Sequence, residues 1–78
     1  MPRFFLHICG GGLREIDSQG NEFASLGHAV LDARKAACQI VAEELVTNEA
    51  IEGQRFEIAN ENGEVVATVP FEIALRLN

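Results

Sequence analysis

The stretch MPRFFLHICGGG, residues 1–12, decides how this chain is read. From Arg3 to Cys9 side chains of alternate residues share a face: Phe4, Leu6 and Ile8 on one side, Phe5, His7 and Cys9 on the other. That period of two is the signature of a strand. Both faces carry apolar residues, so the strand is expected to be central, or to meet a partner with its second face. The run Gly10–Gly12 marks a turn. LREID, Leu13–Asp17, then reads as a short second strand that closes a hairpin on the first. DSQGNE, Asp17–Glu22, reads as a second turn, with Gly20 and Asn21 suited to positive φ.

Outward from this hairpin the period changes. Ser25 is placed to cap a helix. The residues Leu26, Ala29, Val30, Ala33, Ala37, Ile40, Val41 and Leu45 recur at helical spacing and predict a helix over Leu26–Val46. Its small alanines let it lie close to a sheet, while Asp32, Arg34, Lys35, Gln39 and Glu43 take the wetter side. Thr47–Gly53 is the exit, with Ile51 expected to drop back onto the core. QRFEIANENGEVVATVPF reads as a second hairpin. Phe56 and Ile58 alternate with Glu57, Asn62-Gly63 signals a tight turn whose loop can include Glu61, and Val65–Val69 returns as a strand. Pro70 lacks an N–H and is expected to end that strand. Phe71–Leu77 is expected to form a short terminal helix or an extended tail. The order is β-β-α-β-β, an α+β domain: two antiparallel hairpins joined in one sheet, with one long helix packed on one face. One small domain over residues 1–78 is expected, with the strand order left open.

Size and charge narrow the function classes. A chain of 78 residues buries a small core and gains from apolar surface covered by a partner. The formal charge of −6 argues against binding to nucleic-acid phosphates or anionic membrane surfaces. Arg34-Lys35 is the only adjacent basic pair, and no apolar run reaches the length of a membrane span. No signal peptide is expected. Two cysteines, Cys9 and Cys38, are expected to be reduced, buried or half-buried thiols in a cytoplasmic protein.

The three glycines lack the lysine and hydroxyl of a phosphate-binding P-loop, and neither the spacing nor the following helix of a dinucleotide fingerprint is present. His7 and Cys9 share a strand face and fit a zinc ion chemically, with His28 and Cys38 as candidate further ligands. Yet His28 and Cys38 stand about 15 Å apart along one helix and cannot both meet one ion. A Cys–His nucleophilic pair lacks an orienting group and oxyanion donors. Glu43 and Glu44 diverge by about 100° on a helix. Glu57 and Glu64 are expected to line a solvated sheet face. The oxygens of Asp17, Gln19, Asn21 and Glu22 lack the spacing of a calcium loop. The face carrying Phe5, His7 and Cys9 is therefore the candidate interaction face.

The opening MPRFFLHICGGG, the turn DSQGNEF, the helix start and the ending GQRFEIANENGEVVATVPFEIAL, taken together, carry a family resemblance over about Pro2–Leu75. The chain resembles a family of short uncharacterised proteins widespread in rhizobia and related alphaproteobacteria, which open with a phrase like PRYFFH and close near VPF. His7 matches the family's opening histidine, and the family's tyrosine position is held here by Phe4 or Phe5. The resemblance implies a bacterial protein and a small stand-alone domain. It supplies no catalytic residues, and neither Cys9 nor Cys38 matches a functional pair.

The sequence thus favours a small non-enzymatic protein-interaction or regulatory module, able to self-associate. The alternative is a small metal-binding or enzymatic accessory protein using His7 and Cys9. No cofactor is assigned. The expected partners are another protein or a second copy of the chain, with no nucleic acid and no membrane.

Overall fold

The computed structural model describes residues 1–47 and 53–71. Its elements run β1 (Arg3–Gly10), β2 (Leu13–Glu15), β3 (Asn21–Glu22), α1 (Leu26–Thr47), β4 (Arg55–Ala59) and β5 (Val65–Pro70). The fold is the expected α+β one: the strands form an antiparallel sheet in the order β2-β1-β4-β5, and α1 packs against it. The two hairpins join where β1 pairs with β4, from Phe5↔Ala59 to Cys9↔Arg55. The outer edge of β1 is shared. Ile8–Gly10 pairs with β2 at one end, and Arg3 and Phe4 pair with Glu22 and Asn21 of β3 at the other.

Alternation places the core. Phe4, Phe56, Ile58, Val69 and Phe71 are buried against the helix stripe Ala29, Ala33 and Ala37, with Leu6 and Ile8 half-buried beside them. The three alanines, one turn apart, are almost wholly inaccessible, which is what allows α1 to lie flat on the sheet. Four of the five phenylalanines lie on this side, since Phe23 also packs on the cluster. Phe56 and Phe71 meet tilted at 5.2 Å, a favoured aromatic geometry. Ser25 caps α1 as expected: its Oγ accepts the His28 N–H and also bonds the His28 ring, tying off the first turn. The side chains expected to extend the stripe at Val41 and Leu45 lie outside the described residues, as do those of Glu43 and Glu44, Ile51, and the tail at 72–77.

Several expectations change in detail, each for a local reason. The second strand stops at Glu15, because Asp17 turns away and bonds β1 through its side chain instead. Asn21 is extended in β3, so only Gly20 takes the positive φ, at 65°. The Asn62-Gly63 hairpin uses a three-residue loop that includes Glu61. Gly63 donates to the Asn60 carbonyl, the Asn60 N–H reaches Glu64, and Gly63 has a φ of 83°. Pro70 is the last residue of β5 and ends it, as expected. Phe71 donates to the Gln54 carbonyl at 3.0 Å, so the N–H groups of Val69 and Phe71 face β4. The position lacking an N–H therefore faces outward, where it breaks no ladder bond. Cys38 is exposed rather than buried, since it lies about 100° around the helix from Ala37.

Gly10 is the backbone position with least tolerance. Its φ is 110°, and a Cβ there would sit 2.0 Å from the Gly53 carbonyl oxygen. Gly12, also at positive φ (81°), has open space around it. Gly10→Ala is expected to lose about 3 kcal/mol or more of stability in urea unfolding, and Gly12→Ala only about 1 kcal/mol, from backbone strain alone.

Candidate interaction face and the Asp17 junction

The sheet face opposite α1 is built from the other half of the alternation. Strand register sets its residues in rows. Arg14, Cys9, Arg55 and Pro70 lie side by side across four strands; His7, Glu57 and Thr68 form the next row; Phe5 and Ala59 follow. Phe5, His7 and Cys9 thus share one face, as alternation predicts. Phe5 stacks on the His7 ring at 6.5 Å and 17°, and both are half-buried. Among the described residues no helix or strand lies over them.

Cys9 is only 4% exposed, although it belongs to this face. The thiol donates to Glu57 Oε1 at 3.5 Å, and Glu57 Oε2 accepts from Arg55 Nη2 at 3.0 Å. Burial pushes the Cys9 thiol up, and the hydrogen bond and negative charge of Glu57 push it further, against the weaker pull of Arg14 and Arg55. The same contacts, Cys9 first and Arg55 next, hold the Glu57 carboxyl below its usual range. A thiol kept protonated is a poor nucleophile and a poor metal ligand.

His7 is engaged differently. Its Nδ1 accepts the Asp17 N–H at 3.0 Å, so the neutral ring carries its proton on Nε2. Asp17, which the sequence offers as a turn residue and an oxygen ligand, is the centre of a junction. Its Oδ2 accepts the Leu6 N–H at 3.1 Å and its Oδ1 accepts the Gly20 N–H at 3.0 Å. Leu6 is the residue of β1 whose outer N–H falls in the gap between β2 and β3, so the carboxylate completes the edge where no strand does. A cleft of about 200 Å³ marks that gap, lined by Leu6, Ile8, Glu15, Ile16 and Asp17. Partial burial disfavours the Asp17 charge. The N–H groups of Gly20, Leu6 and Gln19, together with nearby His7, outweigh it and hold the carboxyl below the ordinary range. Gly20 is required here for space as well as φ, because a Cβ would come within 2.8 Å of the Phe4 carbonyl oxygen and the Phe5 ring.

The other candidate ligands stay apart. His28 is exposed in the first turn of α1, bonded to Ser25, and Cys38 is exposed further along the same helix. Glu57 faces Thr68 and not Glu64, because Glu64 sits at the mouth of the hairpin loop, bonded to Asn60, and the bulge at Val66 adds one further residue to β5. Among the described residues no three His, Cys, Asp or Glu side chains gather to hold a metal ion. Nor is any helix among them long and apolar enough to cross a membrane. Asp17 could have been found in the sequence from the Asp-x-x-Gly pattern of a side-chain-capped turn at 17–20. Glu57, Arg55 and Arg14 depend on strand register, which no local pattern specifies.

An antiparallel sheet with one long helix across one face and a polar, aromatic strip on the other defines a small helix-on-sheet domain. The chain belongs to the family described as Domain of unknown function (DUF6894), whose model matches residues 3–72. Comparison with curated proteins finds no match, and comparison with solved structures finds none either.

Three outcomes follow from the geometry. Asp17→Ala leaves the Leu6 and Gly20 N–H groups without their acceptor and is expected to cost about 2 kcal/mol in urea unfolding. Because the folded carboxyl lies below its unfolded value of about 3.9, its contribution is complete above that value and is lost as pH falls towards the folded one. Wild-type stability should therefore drop from about pH 5 downward, and Asp17→Asn should flatten that drop. Timed thiol labelling read by mass spectrometry should modify Cys38 at once and Cys9 only as the chain opens.

Proposed function

We propose that this chain is a non-enzymatic protein-interaction module that pairs with a second copy of itself through the face bearing Phe5, His7 and Cys9. The observation that carries this reading is the placement of Phe5. Four phenylalanines serve the helix-side core, while the fifth stands on the opposite face, stacked on His7 and half-exposed. The short chain adds weight, since a domain of this size leaves much of its apolar surface in water. The engaged state of the Cys9 thiol and the His7 Nδ1 favours packing over group transfer. The charge of −6 favours a protein partner over nucleic acid. The resemblance to short rhizobial and other alphaproteobacterial proteins supports a stand-alone bacterial domain in the cytoplasm, where both cysteines stay reduced.

Sedimentation velocity over a concentration series tests this. The wild type should pass from monomer to dimer below about 1 mM, the range reached by a pairing of about 4 kcal/mol. Phe5→Glu should shift it to monomer while far-UV circular dichroism stays that of the wild type. A wild type that remains monomeric throughout, or a Phe5→Glu chain that dimerises equally well, would refute the pairing face.

A further inference from the structure

We infer that His7 and Asp17 form a proton-sensitive latch that fastens the Asp17–Gly20 turn to the edge of β1. The latch has two parts with opposite demands. The Asp17 backbone N–H requires an acceptor, and His7 Nδ1 supplies it only while the imidazole is neutral. The Asp17 carboxylate requires donors, and the Leu6 and Gly20 N–H groups supply them whatever the state of the ring. When His7 takes a proton from solvent at Nδ1, an N–H comes to face an N–H and the hydrogen bond is lost. Imidazole is the side chain whose charge ordinarily changes between about pH 5 and 8.

The surroundings decide where the ring goes. The Asp17 carboxylate faces His7 from the turn. Glu57 stands directly opposite on β4, and its charge is shared with Arg55. Cys9 lies on the same strand face as a neutral thiol, with Arg14 beyond it on β2. Two carboxylates therefore attract an imidazolium, and the one without an arginine partner belongs to Asp17. The charged ring leaves the amide for that carboxylate and breaks its stack on Phe5. Protonation thus remodels the Phe5–His7 strip while leaving the sheet intact. The latch does not depend on self-association.

Amide hydrogen exchange with a parallel NMR titration of the His7 ring tests it. Between about pH 8 and about pH 5, the Asp17 protection factor should fall by about tenfold or more, in step with the ring signals. The Leu6 and Gly20 amides should hold, because their carboxylate acceptor is still ionised at the lower pH. The Gly63 amide, bonded to a backbone carbonyl, serves as the unaffected reference. In His7→Asn the side-chain oxygen accepts near the Nδ1 position and does not titrate, so Asp17 should stay protected at both values. A His7 ring that titrates while Asp17 protection stays flat would overturn the latch. So would a His7→Asn chain that loses protection as the wild type does. Should the variant fail to fold, the wild-type titration decides alone.

Discussion

The pairing of β1 with β4 is the contact on which the rest of the molecule depends. It brings together segments almost fifty residues apart and turns two local hairpins into one sheet. The ordering cost of closing so long a loop is offset by what the register delivers. Leu6 meets Ile58 and Ile8 meets Phe56 on the helix side, so a single ladder lays down the floor of the core. On the other side the same ladder sets His7 against Glu57 and Cys9 against Arg55. A slip by one residue would exchange the two faces, sending Phe56 into water and Glu57 beneath the helix.

The polar groups around β1 act as extensions of that ladder. Past β4, the Arg3 N–H finds the Glu61 side chain at 3.0 Å, and the Arg3 guanidinium reaches the Gln19 carbonyl at 2.8 Å. On the opposite edge, Asp17 does the work of a missing strand residue. β1 is thus held along its whole length although its outer neighbours are only three and two residues long. The protein achieves with side chains what a larger domain would achieve with further backbone.

Much of this was legible in the residues, and the reasons are physical. Periods of two and near 3.6 report which face is apolar, so β1, α1 and the β4–β5 hairpin could be read locally. The common facing of Phe5, His7 and Cys9 came from the same alternation. Strand order and register could not be read, because they arise from pairing between distant segments with similar patterns. That is why Glu57 reads in the sequence as part of a solvated sheet face and not as the partner of Cys9 and Arg55. Pro70 ends β5 as its missing N–H suggests, but which way that position points is fixed only once β5 has a neighbour. The phrase Val69-Pro70-Phe71 then has a plain structural sense, with Val69 and Phe71 in the core and Pro70 outside. Asp17 shows a different limit. Its turn role was visible, but its bonds to Leu6 and His7 belong to the three-dimensional edge.

The bulge at Val66 and the outward Pro70 also bear on strand addition at the sheet edge. A strand edge invites addition, and each added copy would present another edge, so growth by that route has no natural end. Here β5 is irregular at one end and lacks a donor at the other, while β2 is too short to template a neighbour. Face-to-face contact between two identical surfaces uses both of them up. With neither of these edges suited to strand addition, growth into an open fibre is disfavoured.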